Sequence, residues 1–304
     1  MKILVTGATG LVGTALVAAL VQDGHMVCRL VRPETKTAGG APGTFDVAWN
    51  PETGELGGAA VGAEAVMNLA GASIAGGRWS DARKKVLRSS RVEATRALVT
   101  ALGKMNAKPD VLVNASAIGY YGNRGDEVLT EESVPGDNFL AGICKEWEAE
   151  ASRAEEFQTR VVLARFGIIL SKHGGALAKM MLPFKFGVGG RVGGGEQWMS
   201  WIALADVVDI LRFALKNREL RGPVNVVAPE PVRNAEFTKM LATALHRPAL
   251  LPAPAFALRL AMGEMADALL LSSHRVVPER LGKADYMFKG RSLRAVLRDI
   301  LITT

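Results

Sequence analysis

The sequence predicts an α/β fold, a doubly wound parallel sheet carrying a smaller, mainly helical C-terminal lid. Three observations point there. Through the first half of the chain, short apolar runs alternate with helical segments, the pattern of βαβ units whose strands are covered on both faces. A glycine-rich turn, Gly7-Ala8-Thr9-Gly10-Leu11-Val12-Gly13, joins the first apolar run to the first helical one. After Leu170 the texture changes to a Gly-rich stretch at 187–195, then to helical segments broken by Pro248, Pro252 and Pro254.

Taken in order, residues 2–6 (KILVT) read as a short buried strand and 11–22 as a helix stopped by Gly24. Residues 26–31, 45–49 and 65–69 supply three further strands, and 79–104 a long charged helix. A fifth strand is expected at 110–116, a helix at 138–157 and another strand at 159–170. The glycines at 187–195 suit a hairpin or lid, and 224–227 is a short strand able to return to the main sheet. The expected division is a nucleotide-binding domain over 1–232, with a lid segment near 171–200 inserted, and a helical substrate or lid domain over 233–304.

Composition narrows the function. Of 304 residues, 49% are hydrophobic and 22% charged, ordinary for a globular chain and unlike a disordered one. Two cysteines, Cys28 and Cys144, build neither a disulfide framework nor a zinc site, and the four histidines show no metal-binding spacing, so no metal is expected. The net charge of +7 is spread along the chain with no nucleic-acid motif, which favours anionic ligands over nucleic acid. Ile3, Leu4 and Val5 are too short a run for a signal sequence. The apolar stretch 248–271 carries Arg259, Glu264, Asp267 and three prolines, so no membrane span is expected there. The expectation is a cytoplasmic protein, monomeric or homodimeric, acting on a small molecule.

The glycine motif carries the first chemical inference. Between a strand and a helix, Gly7 permits the tight turn, Gly10 lets the backbone approach a pyrophosphate, and Gly13 lets helix and strand pack closely. Thr9, Leu11 and Val12 complete the loop, and the helix start offers free N–H groups and positive potential to phosphates. The second strand ends at Arg32 where an NAD-preferring site usually has an acid, so NADP is the expected cofactor, with Arg32 on its 2′-phosphate. Leu69, Ala70 and Gly71, after Asn68, are small enough to let a second loop lie against the cofactor.

GATGLVG, Asn68-Leu69-Ala70-Gly71 and Ser116-Ala117-Ile118-Gly119-Tyr120-Tyr121-Gly122 resemble the extended and atypical short-chain dehydrogenase/reductases, whose Rossmann-type fold they imply. RWSDARKKVLRSSR (78–91), FLAGICKEWE (139–148), GGALAKMMLPF (174–184), QWMSWI (197–202) and APEPVRNAEF (228–237) narrow the resemblance. They are similar to the SulA-like, or cell-division-inhibitor-like, NAD-dependent epimerase family, which has a C-terminal region of unknown function.

That resemblance implies a Ser, a Tyr and a Lys four residues after the Tyr, with the ammonium drawing the phenol pKa down from about 10. Ser116 takes the serine place and Lys145 the lysine place, the latter also holding the nicotinamide ribose. Counting back four from Lys145 gives Ala141, so the usual phenol is absent. Tyr120 and Tyr121 follow Ser116 in the chain, and Tyr121 is the candidate substitute acid. Glu146 and Glu148 read as surface or helix-supporting charges, 165–170 as a nicotinamide flank, and Gln197, Trp198 and Trp201 as candidates for the substrate side. The implied function is an NADP(H)-dependent oxidoreductase or epimerase acting on a small carbonyl or hydroxyl compound, a nucleotide-linked sugar among the options. The competing reading is a non-catalytic NADP(H)-binding regulator or partner-binding protein.

Overall fold

A computed structural model of the chain describes residues 1–32, 34 and 42–302. Eight strands make the main sheet: β1 (Lys2–Thr6), β2 (Met26–Val31), β3 (Thr44–Asn50), β4 (Glu55–Leu56), β5 (Ala65–Asn68), β6 (Val111–Ala117), β8 (Arg160–Phe166) and β12 (Gly222–Val226). Their order across it is β12-β8-β6-β5-β1-β2-β3-β4. Every neighbouring pair is parallel except β3–β4. The chain runs outward from β1 through β2 and β3, then returns through β5, β6 and β8, so the order reverses beside β1. In open α/β sheets, ligands bind outside the carboxyl ends of the strands at such a switch point. Short strand pairs brace the loops around that end: β7 (Val128–Leu129) with β14 (Arg275–Val276), and β10 (Trp198–Met199) with β13 (Val232–Arg233).

Alternating side chains fill the two faces. Ile3, Val5, Val111 and Val113 pack on one side with Leu16 and Leu20 of α1 (Leu11–Gln22) and Leu211 of α6 (Leu204–Lys216). Leu4, Val66 and Leu112 point the other way, onto Leu98 and Leu102 of α3 (Val92–Gly103) and Ala151 of α4 (Phe139–Ser152). Each fully buried Leu or Val contributes about 1.5–3 kcal/mol relative to exposure. A third core gathers Leu177 and Phe184 of α5 (Gly175–Lys185), Trp201, Phe237 and Leu241 of α7 (Asn234–Leu245), and Leu293 and Leu297 of the last helix. The stretch following Leu170 and the C-terminal helices therefore share one apolar cluster.

Two expected elements divide. The helix expected over 79–104 is two helices, α2 (Asp81–Ser89) and α3, because Arg91 lies at φ −114°, ψ −65° between them. The strand expected over 159–170 is interrupted at Gly167, where a Cβ would stand 2.7 Å from the Ser200 carbonyl oxygen. Beyond Gly167, β9 (Ile168–Leu170) leaves the main sheet and pairs with β11 (Trp201–Ala203). Among the described residues no helix is long and apolar enough to cross a membrane, and no group of His, Cys, Asp or Glu is placed to hold a metal.

Candidate nucleotide-binding site

The loop after β1 is shaped by three glycines with different tasks. Gly7 has φ +63°, and a Cβ there would lie 2.7 Å from the Leu69 carbonyl group, so the loop after β5 closes directly over it. Gly10 caps α1 with no side chain, and the first turn of that helix contains no acid. The first helical bond runs from Thr14 N–H to the Gly10 carbonyl at 2.9 Å. The N–H groups of Leu11, Val12 and Gly13 precede it and have no helical acceptor. A Cβ on Gly13 would meet the Gly7 carbonyl oxygen at 2.1 Å, so α1 can sit this low only with glycine there.

A polar lattice ties the second loop to the first. Thr6 Oγ1 donates to Asn68 Oδ1 (2.6 Å) and accepts from the backbone N–H groups of Leu69 (3.0 Å) and Ala70 (3.1 Å). Asn68 Nδ2 donates to Thr95 Oγ1 at 2.8 Å and Asn114 Oδ1 at 2.6 Å. Above this lattice lies a cavity of about 400 Å³, within the usual range for small-molecule sites. Gly7, Gly10, Leu11, Val12 and Gly13 form one wall, Leu69, Ala70 and Gly71 another, and Ser116 stands at the end of β6. Phe166, Gly167 and Ile169 line it from β8 and β9.

One buried cation faces this space. Arg91 donates to the carbonyls of Leu87 (3.0 Å) and Ala72 (2.9 Å), and its guanidinium lies 5.4 Å from the centre of the Trp147 ring. Burial draws its pKa below the ordinary arginine value. Among the described residues it has carbonyl partners and no carboxylate partner, a free positive charge on the wall of a phosphate-sized loop. The break between α2 and α3 turns this side chain inward.

Ser116 connects the cavity to a second buried network. Its hydroxyl donates to Glu148 Oε1 at 2.6 Å. Arg165 closes a two-point pair on that carboxylate, Nε to Oε1 and Nη2 to Oε2, both 2.8 Å. Arg165 Nη1 also donates to the Tyr121 hydroxyl (2.9 Å), which in turn donates to Asn225 Oδ1 (2.6 Å). The guanidinium covers the Tyr120 ring at 3.6 Å.

The chain resembles known proteins in sequence and in fold. The model of the NAD dependent epimerase/dehydratase family matches residues 3–227. The chain belongs to that family. A domain of unknown function, DUF1731, matches residues 253–300. The chain is 43% identical over 297 residues to the epimerase family protein MT2273 of Mycobacterium tuberculosis (strain CDC 1551 / Oshkosh), covering 97% of this chain and 96% of that one. It is 37% identical to the epimerase family protein YfhF of Bacillus subtilis (strain 168), over 99% of this chain and 98% of that one. Among solved structures it is similar to the human epimerase family protein SDR39U1 (isoform 2) crystallised with NADPH, at a TM-score of 0.89, 32% identity and full coverage of both chains. These findings support the epimerase/dehydratase family and SDR39U1-type relatives; the narrower SulA-like resemblance is not supported by them.

The structure brings together some expected site residues of this epimerase-family chain and separates others. Gly7, Gly10, Leu11, Val12, Gly13, Leu69, Ala70, Gly71 and Ser116 share the cavity, while Thr9 is exposed on the loop rim. Arg32 is exposed, just past β2, and the following residues 33 and 35–41 lie outside the described ones. Lys145, expected to hold the nicotinamide ribose, stands apart from these. It is exposed and absent from the cavity wall, because the face of α4 turned inward carries Leu140, Ile143, Cys144 and Trp147, an i, i+3, i+4, i+7 stripe. The pair one turn apart at the cavity is thus Leu140 and Cys144, one residue before Ala141 and Lys145. Burial pushes the Cys144 thiol up to about 12, so it is neutral near pH 7.

Tyr121, the candidate substitute acid, also stands apart. It is fully buried, hydrogen-bonded behind the cavity to Arg165 and Asn225, and burial raises its hydroxyl to about 12. Glu148, expected as a surface or helix-supporting charge, is the buried centre of the network, whereas Glu146 is exposed and pairs with Arg88. Trp201 lies in the third core and donates to the Glu230 carbonyl (2.9 Å), and neither it nor Gln197 nor Trp198 borders the cavity. Sequence reasoning missed Arg91, Cys144 and Trp147. The signal for the last two was the apolar stripe of α4; Arg91 sat inside what read as one charged helix.

Proposed function

We propose that the cavity holds NADP(H), and that the chain is an NADP(H)-dependent oxidoreductase or epimerase for a small carbonyl or hydroxyl compound, a nucleotide-linked sugar among the candidates. The carrying observation is the glycine cradle: an uncapped helix start with free N–H groups, closed by Gly7 against Leu69 and faced by Arg91. Gly7, Gly10, Leu11, Val12 and Gly13 would hold the pyrophosphate, with Thr9 at the rim. Leu69, Ala70 and Gly71 would carry the backbone wall, and Arg32 would meet the 2′-phosphate. The human relative crystallised with NADPH supports the phosphorylated cofactor. When bound, the nicotinamide supplies or accepts the hydride.

Ser116 is the polar group offered to a substrate oxygen. Because its proton is given to Glu148, the cavity meets only its lone pairs, which accept from a hydroxyl and cannot simultaneously donate to a carbonyl. A second reading, an NADP(H)-binding protein without catalysis, is favoured by one specific observation. Leu140 and Cys144 occupy the cavity face of α4, where a phenol and an ammonium would be needed for proton transfer.

Fluorescence titration with NADPH and NADH tests the binding half. NADPH should bind at least tenfold more tightly, and Arg32→Ala should remove most of that preference, since a charge-assisted contact contributes about 1.5–3 kcal/mol. Equal affinities for the two cofactors would reject the Arg32 assignment. NADPH oxidation across a panel of aldehydes, ketones and quinones then separates the two readings: turnover supports the oxidoreductase, and tight binding with no turnover supports the binding protein.

A further inference from the structure

A second cavity lies away from the one described above. A groove of about 860 Å³ runs along α7 on the C-terminal side of the chain. One wall is a stripe of that helix, Ala235, Thr238, Lys239, Ala242 and Thr243, at the spacing of a single helical face. The opposite wall is Arg191 together with Ala249, Leu250 and Pro252. His246 and Arg247 close the end.

Four basic side chains, Arg191, Lys239, His246 and Arg247, border this groove, and no acidic residue does. Elsewhere on this protein exposed arginines are commonly paired with carboxylates, as Arg233 is with Asp126 and Glu196, and Arg259 with Asp267. None of the groove's four has such a pair among the described residues. Arg247 sits where a cation also complements the negative end of α7. That account does not reach Lys239, inside the helix, or Arg191, on a different segment.

The groove floor is braced. Leu251 N–H donates to the Gly189 carbonyl (3.2 Å) and Ala253 N–H to the Arg191 carbonyl (2.8 Å). Val192 N–H donates to Asn234 Oδ1 at the start of α7 (2.8 Å). Gly190 admits this contact because a Cβ would stand 1.9 Å from the Leu251 carbonyl oxygen. Arg191 is therefore held opposite α7 by backbone bonds. Beside the charges, Leu250 is 78% exposed and its neighbour Leu251 54%, an apolar edge on a cationic trough.

We infer that this groove is a second binding site, separate from the glycine cradle, for a phosphate-bearing ligand with an apolar part. Clustered cations lacking counter-charges favour a dianionic phosphate, the Thr238 hydroxyl can donate to its oxygens while that of Thr243 is given to the Lys239 carbonyl (2.9 Å), and Leu250 and Pro252 offer the apolar contact. A phosphorylated metabolite and the headgroup of an anionic lipid share this chemistry.

The test follows backbone amide NMR signals of the labelled full chain during titration with inorganic pyrophosphate. Saturable shifts are expected in α7 and 246–252, and Lys239→Ala with Arg247→Ala should weaken them at least tenfold while NADPH affinity stays unchanged. Arg191→Ala, on the opposite wall, provides a second variant outside the helix. Co-sedimentation with phosphatidylcholine vesicles containing phosphatidic acid, lost in the double variant, would assign the phosphate to a lipid headgroup. Saturation by pyrophosphate without co-sedimentation would assign it to a free compound. Shifts confined to residues 7–13, no saturation in either arm, or wild-type affinity in the double variant would each overturn the inference.

Discussion

The buried pair of Glu148 and Arg165 shows how one side chain changes meaning with its surroundings. Arg165 has only 3% of its side chain exposed, and its charge is compensated by Glu148 on one side and the two tyrosines on the other. Removing one partner strands the other charge inside the protein. Glu148→Ala should therefore cost about 3–5 kcal/mol in urea unfolding. A loss below about 1 kcal/mol would mean that Arg165 finds water or another acceptor. Lys145→Ala provides the contrast: from its exposed place outside the cavity, it should leave both NADPH affinity and stability nearly unaltered. A large loss of NADPH affinity would restore it to the site. Neither role was legible in the sequence, where Lys145, Glu146 and Glu148 look alike. Burial on α4 is decided by a rotation of about 100° per residue, which the spacing of a family motif does not by itself set.

Elements were far more readable than roles. β1, α1 and β2 fall where the apolar runs place them, because each run is bounded by a glycine turn that also fixes its ends. The boundaries that escaped were those set by tertiary contact: Arg91, drawn inward to the Ala72 carbonyl, and Gly167, wedged against Ser200. Within elements, two glycines make opposite predictions. Gly13→Ala should displace α1 from the cradle, since its methyl would overlap the Gly7 oxygen, and should weaken NADPH binding strongly along with stability. Gly142, inside α4, has open space where a methyl would stand and an ordinary helical backbone. Gly142→Ala should stabilise the protein by about 0.5–1 kcal/mol. Thermal denaturation of the two variants side by side checks both signs.

At the scale of the whole molecule, pH is the simplest probe of these buried groups. Burial holds Cys144 and Tyr121 as neutral acids up to about pH 12, against ordinary values of 9.0 and 10.0. Between those limits the folded chain keeps protons that the unfolded chain releases. Their contribution is thus complete below about pH 9 and is lost as pH rises towards 12, at up to ~1.4 kcal/mol per pH unit for each group. Tyr121→Phe should flatten the alkaline fall in the melting temperature, and an unchanged slope would remove Tyr121 as a cause. The same burial should keep Cys144 unreactive towards iodoacetamide in the native state at about pH 8, with labelling only after unfolding.

The order of strands also bears on how this chain is made. β8 takes its outer partner from β12, whose residues are translated more than fifty positions later. During synthesis, β1, β2, β5, β6 and β8 can assemble while β8 still presents a row of open backbone groups. An edge like that recruits other strands. A nascent chain stalled before Gly222 should be prone to self-association or dependent on a chaperone, and one stalled after α7 has emerged should not be. The late arrival of a five-residue strand thereby divides the life of the polypeptide on the ribosome into a vulnerable interval and a safe one.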